Sequence, residues 1–206
     1  MNISTHKKAM QHFKKVDPDL YKQIRHLKVD AIVPKKSLTP DAYLVRSIIS
    51  QQISTKAAAS ILKKFLDLFP KQELCHAHLA SLTDEQLRGA GLSRGKTVYI
   101  RDLSTRFLNG ELPDHNKIKK MSDEEIIESF VKVKGIGVWT VQMLLIFFLR
   151  RKDVWPVGDL GVQKGFQIVF NKRKLPNKKE MEKRGKKWAP YRSVAALYLW
   201  RATDSE

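Results

Sequence analysis

Apolar residues recur at helical spacing along almost the whole chain, and stretches of strict apolar–polar alternation are nearly absent. This pattern predicts helices packed on helices and leaves no clear strand for a sheet. Phe13, Val16, Leu20, Ile24 and Leu27 mark a basic amphipathic helix over 5–28, which Pro18 is placed to split. Residues 29–40, with Pro34 and Pro40, read as a linker. Leu44, Val45, Ile48 and Ile49 mark the next helix. Another starts at Ser54, carries Ile61, Leu62, Phe65 and Leu66, and ends before Pro70. A short helix over 79–87 is stopped by Gly89 and Gly91. The one after it begins at Ser93 or Arg94, holds Val98, Ile100, Leu103 and Phe107, and stops at Asn109-Gly110. Ser122 and Glu125 are spaced as a capping box for a helix over 123–132. Further helices are predicted over 138–151, 160–170 and 188–202.

The charge balance narrows the partners. Thirty-nine Lys and Arg face 21 Asp and Glu, a net +18 in 206 residues, with a pI near 10. Polyanions are the natural partners of such a surface. The chain length suits one domain or two small lobes. One cysteine, Cys75, leaves no intrachain disulfide, four-cysteine zinc site or iron–sulfur cluster, and a lone thiol suits a reducing compartment. The six histidines lack metal-ligand spacing, and His76 and His78 are expected on a surface loop. The start, MNISTHKKAMQHFKK, shows no secretory signal. The most apolar run, Val138 to Leu149, is too short to span a bilayer.

Four constellations could carry chemistry. In Val131-Lys132-Val133-Lys134-Gly135-Ile136-Gly137-Val138-Trp139-Thr140, one helix ends, two glycines turn the chain and another helix begins. Amides at such a helix start bind phosphate, although a plain capping turn has the same look. In Trp155-Pro156-Val157-Gly158-Asp159-Leu160-Gly161-Val162, Pro156 and Gly158 set Asp159 at a helix mouth. Asp159 reads as an N-cap, a catalytic carboxylate, or both. Ser50-Gln51-Gln52-Ile53-Ser54-Thr55-Lys56 is a polar link between apolar helices, either a loop with an N-cap or a finger that contacts bases. Trp139, Trp155, Trp188, Tyr191, Tyr198 and Trp200 read as core or as a ligand cage. The run from Lys172 to Lys187 holds nine Lys/Arg and two Glu, suited to solvent or to phosphate.

Together these segments resemble the helix-hairpin-helix DNA glycosylase superfamily, most closely its AlkA-type 3-methyladenine DNA glycosylase II branch. The residues that carry the resemblance are Val45 to Ser54 with Lys56-Ala57-Ala58, Gly91-Leu92-Ser93 with Lys96, Lys134 to Thr140, Pro156 to Val162, and Trp188 to Ala196. It covers about 40–202. The resemblance implies an all-α, two-lobed fold with a lesion cleft between the lobes, and without the β-rich domain that opens the fuller architecture. One lobe would span 40–150 and the other 1–36 with 155–206. It implies Asp159 as the catalytic aspartate and Trp139, Trp200 and Met143 along the base pocket. Gln51, Gln52, Ser54, Lys132, Lys134, Gly135, Gly137 and Thr140 would contact DNA, with Gln52 as the wedge. The backbone carbonyls of Val131, Val133 and Ile136 would hold a structural Na+ or K+; no other cofactor is called for.

The implied activity is monofunctional excision of alkylated purines from duplex DNA in base excision repair, leaving an abasic site. Bifunctional relatives place a Schiff-base lysine where this chain has Trp139. Lys134 stands where the hairpin often has Pro, and Gln52 is polar where some members have an apolar wedge. The partner is damaged duplex DNA, no membrane is involved, and a monomer is expected. Such an enzyme would work in the cytoplasm at the nucleoid of a bacterium, or in a eukaryotic nucleus. The alternative is a non-catalytic helix-hairpin-helix protein that senses bent or damaged duplex.

Overall fold

A computed structural model describes residues 1–32 and 39–204. The middle of the linker expected over 29–40 lies outside the described residues. In chain order the α-helices are α1 (Ile3–Val16), α2 (Pro18–Ile24), α3 (Pro40–Ser50), α4 (Thr55–Leu66), α5 (His76–Ser81), α6 (Asp84–Gly89) and α7 (Arg94–Leu108). They continue with α8 (His115–Ile118), α9 (Asp123–Phe130), α10 (Val138–Met143), α11 (Leu160–Val169), α12 (Lys178–Gly185) and α13 (Arg192–Thr203). No strand occurs among the described residues, in keeping with the sequence periodicity. None of their helices is long and apolar enough to cross a membrane.

The chain forms two compact units, Met1–Pro34 with Leu145–Glu206, and Lys35–Leu144. In the first, α11 and α13 pair most extensively. A methyl group at Gly165 of α11 would lie 2.0 Å from the Leu199 carbonyl oxygen, so the absent side chain is what lets the helices meet. Asp17 ends α1 and caps α2 through the Leu20 N–H. Burial alone would raise its carboxyl group. Hydrogen bonds from Arg184 and Trp188 outweigh that and hold it below the usual carboxylate range. Arg184 spans both Asp17 oxygens at 2.8 and 2.7 Å, which fixes α12 against the first two helices.

In the second unit, Ser122 and Glu125 form the predicted capping box. Four expectations are corrected across the two units, and the first is that the helix expected over 188–202 begins only at Arg192, with Trp188 closing a separate short turn. The stretch over 79–87 is two short helices, because Thr83 caps a fresh one with Gln86 as its reciprocal partner. The helix expected over 138–151 ends at Met143 and widens into a π-type turn, Leu144–Phe148. Arg150, at φ +57°, then closes it. His76 and His78 are not on a surface loop but in α5; His76 opens the helix and bridges Asp41 Oδ2 at 2.9 Å and Ser104 Oγ at 3.0 Å, with Phe107 stacked on its ring at 5.1 Å. It ties α3, α5 and α7 together. Its partners stand 28 and 35 residues away, beyond the reach of any local pattern.

Candidate active site

The turn before α11 places one carboxylate with care. The Asp159 N–H donates to the Pro156 carbonyl at 3.0 Å, closing the turn that Pro156 and Gly158 begin. Asp159 then caps α11, its Oδ1 accepting the Val162 N–H at 2.7 Å. The same oxygen accepts the Trp200 indole N–H, also at 2.7 Å. Asp159 is 8% exposed. Two donors on one oxygen fix the plane and direction of the carboxylate, and the positive end of α11 complements its charge. The N-cap and functional readings of Asp159 are therefore compatible.

Trp200 can reach Asp159 because Gly161 has no side chain. A Cβ there would lie 2.8 Å from Cδ1 and 2.9 Å from Nε1 of the indole. Phe147 meets the same ring with centroids 5.6 Å apart. The sequence resemblance offers Trp200 as a pocket wall; the structure adds that its N–H is committed to the carboxylate. No spacing signals the bond, since the partners are 41 residues apart. Phe147 lies inside the apolar run after Val138, where nothing in the sequence distinguishes it from its neighbours.

The other unit carries the glycine hairpin and the polar finger. Gln51 ends α3, and Gln52 follows it exposed, at φ +56°. That left-handed conformation is uncommon outside glycine and needs support from its surroundings. Lys96 supplies support, donating from Nζ to the Ile49 and Gln51 carbonyls at 2.8 and 2.9 Å. Burial pushes the Lys96 ammonium group below its ordinary pKa. Gln51 Nε2 donates to the Gly135 carbonyl at 2.9 Å, so finger and hairpin are joined. Ser54 faces solvent and caps α4 through the Ala57 N–H.

In the hairpin, Val133 N–H returns to the Phe130 carbonyl and Ile136 N–H to the Val133 carbonyl, each at 3.1 Å. Gly135 sits at φ +78°, and a Cβ on it would lie 2.2 Å from the Tyr99 ring. Gly137 starts α10 without a side-chain cap, which leaves first-turn amides for solvent or phosphate. The Lys134 amide is already used: it donates to Asp102 Oδ2 at 2.9 Å, and the Arg106 guanidinium approaches that oxygen at 3.2 Å. Asp102 carried no sequence signal. The Lys132 and Lys134 side chains are exposed, and Trp139 is 50% exposed. Thr140 and Met143 are buried, and the Met143 carbonyl accepts the Tyr43 hydroxyl at 3.1 Å. Gly135→Ala should combine left-handed strain with the Tyr99 clash, at a cost of about 2–4 kcal/mol. Urea unfolding measures this directly, and a loss below about 1 kcal/mol would contradict the close approach.

A model of the family described as "HhH-GPD superfamily base excision DNA repair protein" matches residues 45–190. The chain belongs to the HhH-GPD superfamily. The match takes in the finger, the hairpin and Asp159. DNA-3-methyladenine glycosylase 1 of Schizosaccharomyces pombe is 32% identical over 204 residues, 95% of this chain and 87% of the relative. The solved structure of 3-methyladenine DNA glycosylase (Mag1) of that yeast, in complex with abasic DNA, superposes with a TM-score of 0.79 at 32% identity. It covers 94% of this chain and 95% of the other. A DNA-3-methyladenine glycosidase structure from Bacillus halodurans gives 0.83 at 35% identity, covering 93% and 88%.

The donor set in this HhH-GPD hairpin suits a hard monovalent cation. Val131, Val133 and Ile136 offer only neutral carbonyl oxygens, and the Val133 oxygen keeps a second lone pair beyond its bond to Ile136. No His/Cys/Asp/Glu cluster fit for a metal ion occurs among the described residues.

Proposed function

We propose that this HhH-GPD protein is a monofunctional DNA glycosylase that removes alkylated purines from duplex DNA and leaves an abasic site. The observation that carries this reading is the Asp159 carboxylate, buried at the mouth of α11 and held by the Val162 and Trp200 N–H groups. The similar proteins named 3-methyladenine glycosylases support it. A base in a duplex is out of reach, so its nucleotide is flipped at a cost of about a few kcal/mol. The amides at the start of α10, with Lys132 and Lys134, hold the phosphates, and Gln52 fills the gap in the duplex. The carbonyls of Val131, Val133 and Ile136 would hold a Na+ or K+, which would stiffen the turn.

A purine alkylated at N3 or N7 is a cation, and it leaves readily once the sugar can bear positive charge. As the glycosidic bond breaks, its electron pair goes to the base. The sugar becomes oxocarbenium-like, and the fixed Asp159 carboxylate stabilises that charge. Water then adds to the sugar and loses a proton. The protein acts as a monomer on chromosomal DNA, in the nucleoid or the nucleus.

Trp139 tests the monofunctional part. A lyase attacks the sugar with an amine of lowered pKa, and an indole cannot form an imine. Borohydride added to protein and damaged duplex should trap no covalent adduct, and the strand should stay uncut until alkali is added. A trapped adduct would overturn the assignment. The exposed indole also offers a face to a cationic base. Trp139→Ala should weaken discrimination for cationic purines by about 1–2 kcal/mol, with less effect on neutral hypoxanthine. Because the ring is half exposed, the melting temperature should move little. Equal loss on both lesions together with a large fall in melting temperature would make Trp139 core instead.

A further inference from the structure

The basic segment after α11 divides into cations with a structural duty and cations without one. Arg184 grips Asp17 and lies over the Phe170 ring at 3.6 Å. Lys172 pairs with Glu180 at 2.5 Å. Their neighbours differ. Lys179, Lys183 and Lys186 are exposed and recur at i, i+4 and i+7, on the side of α12 away from buried Met181 and Gly185. They make a stripe about 10 Å long. Exposed Lys187 continues it, and its carbonyl lies 3.1 Å from His12 Nε2 of α1. Exposed Lys8 and Lys15 stand four residues before and three after His12, on the same helix face. None of these six lysines makes an ion pair among the described residues.

Six cations on adjoining elements repel one another and weaken the folded state. They also lack what a protein-docking face needs, because binding hot spots are built on buried aromatic or arginine anchors. Lysines on flexible stems are point charges that meet phosphate without demanding one geometry. A stripe of about 10 Å spans roughly three phosphates of one DNA strand. Every residue of this surface belongs to the unit that carries Asp159, and none belongs to the hairpin or the finger.

We propose that the α12 stripe, with Lys187, Lys8 and Lys15, is a second DNA-backbone contact, which holds undamaged duplex during the search for lesions. This rests on the glycosylase reading for its purpose, though not for its chemistry. The test replaces Lys179, Lys183, Lys186 and Lys187 together with Gln, and in a companion variant with Arg. Binding to a long undamaged duplex is followed across a salt series, beside single-turnover base release from a short alkylated duplex at saturating protein.

The Gln variant should bind undamaged duplex more weakly, with a slope of log K against log salt shallower by about 2–3. The Arg variant should restore that slope. Base release should stay within about twofold of the parent for both, since no residue of the chemistry is touched. An unchanged slope in the Gln variant would overturn the proposal and leave the stripe a solvated face or a site for an acidic protein. A fall in base release that follows the fall in affinity would also overturn it, by making the stripe part of lesion binding. If neither parent nor variant releases base while the slope still falls, the DNA contact stands and the glycosylase reading fails.

Discussion

Asp159→Asn should lower single-turnover base release by about 10²–10³-fold or more, the scale for losing preorganised charge stabilisation in a transition state. Asn caps helices as well as Asp does, so α11 should still begin at the same residue. The amide oxygen can keep the Val162 and Trp200 hydrogen bonds. What disappears is the negative charge that an oxocarbenium-like sugar requires. Binding of alkylated duplex should persist or tighten, because a carboxylate that repels phosphate has gone. Rates within about tenfold of the parent, with the fold intact, would remove Asp159 from the chemistry.

Trp200→Phe should lower base release by about 10–100-fold while leaving affinity for the damaged duplex nearly unchanged. Phe retains a ring that can lie across Gly161 and against Phe147 but has no N–H, so Asp159 loses the indole donor and keeps the Val162 N–H. Trp200 is thereby a positioning residue, acting through the direction of the carboxylate. Gly161→Ala approaches the same bond from the other side, since its methyl group would meet the indole at 2.8 Å. Both variants should lose rate with little change in binding. A Trp200→Phe protein that loses affinity instead, at unchanged rate, would make the indole a base-pocket wall and no more.

Local geometry was legible in the sequence wherever cause and effect lie within one helical turn. Ser122 with Glu125, Ser54 before α4 and Asp159 before α11 are all contacts between i and i+3, and each capped as its spacing implied. The glycine turn was legible too, because few residues but Gly tolerate the backbone at Gly135. The apolar run after Val138 misled, since periodicity shows which residues are buried but not that the helix widens at Leu144. The bonds that build the site were hidden for a different reason. Trp200 to Asp159, Lys96 to Gln51 and the Lys134 amide to Asp102 join residues distant in sequence, and their polar groups leave no period. Lys96 could be quoted within a motif, but its duty at the end of α3 appears only when the two helices are seen together.

The most direct measurement is release of free base from a duplex carrying 3-methyladenine or 7-methylguanine, by the purified parent protein and by its Asp159→Asn variant. Methylated base in solution and an alkali-labile abasic strand are expected with the parent, and release slower by about 10²-fold or more with the variant. Tight binding of the alkylated duplex by the parent with no base released would contradict it, and would leave a helix-hairpin-helix protein that senses damage without repairing it.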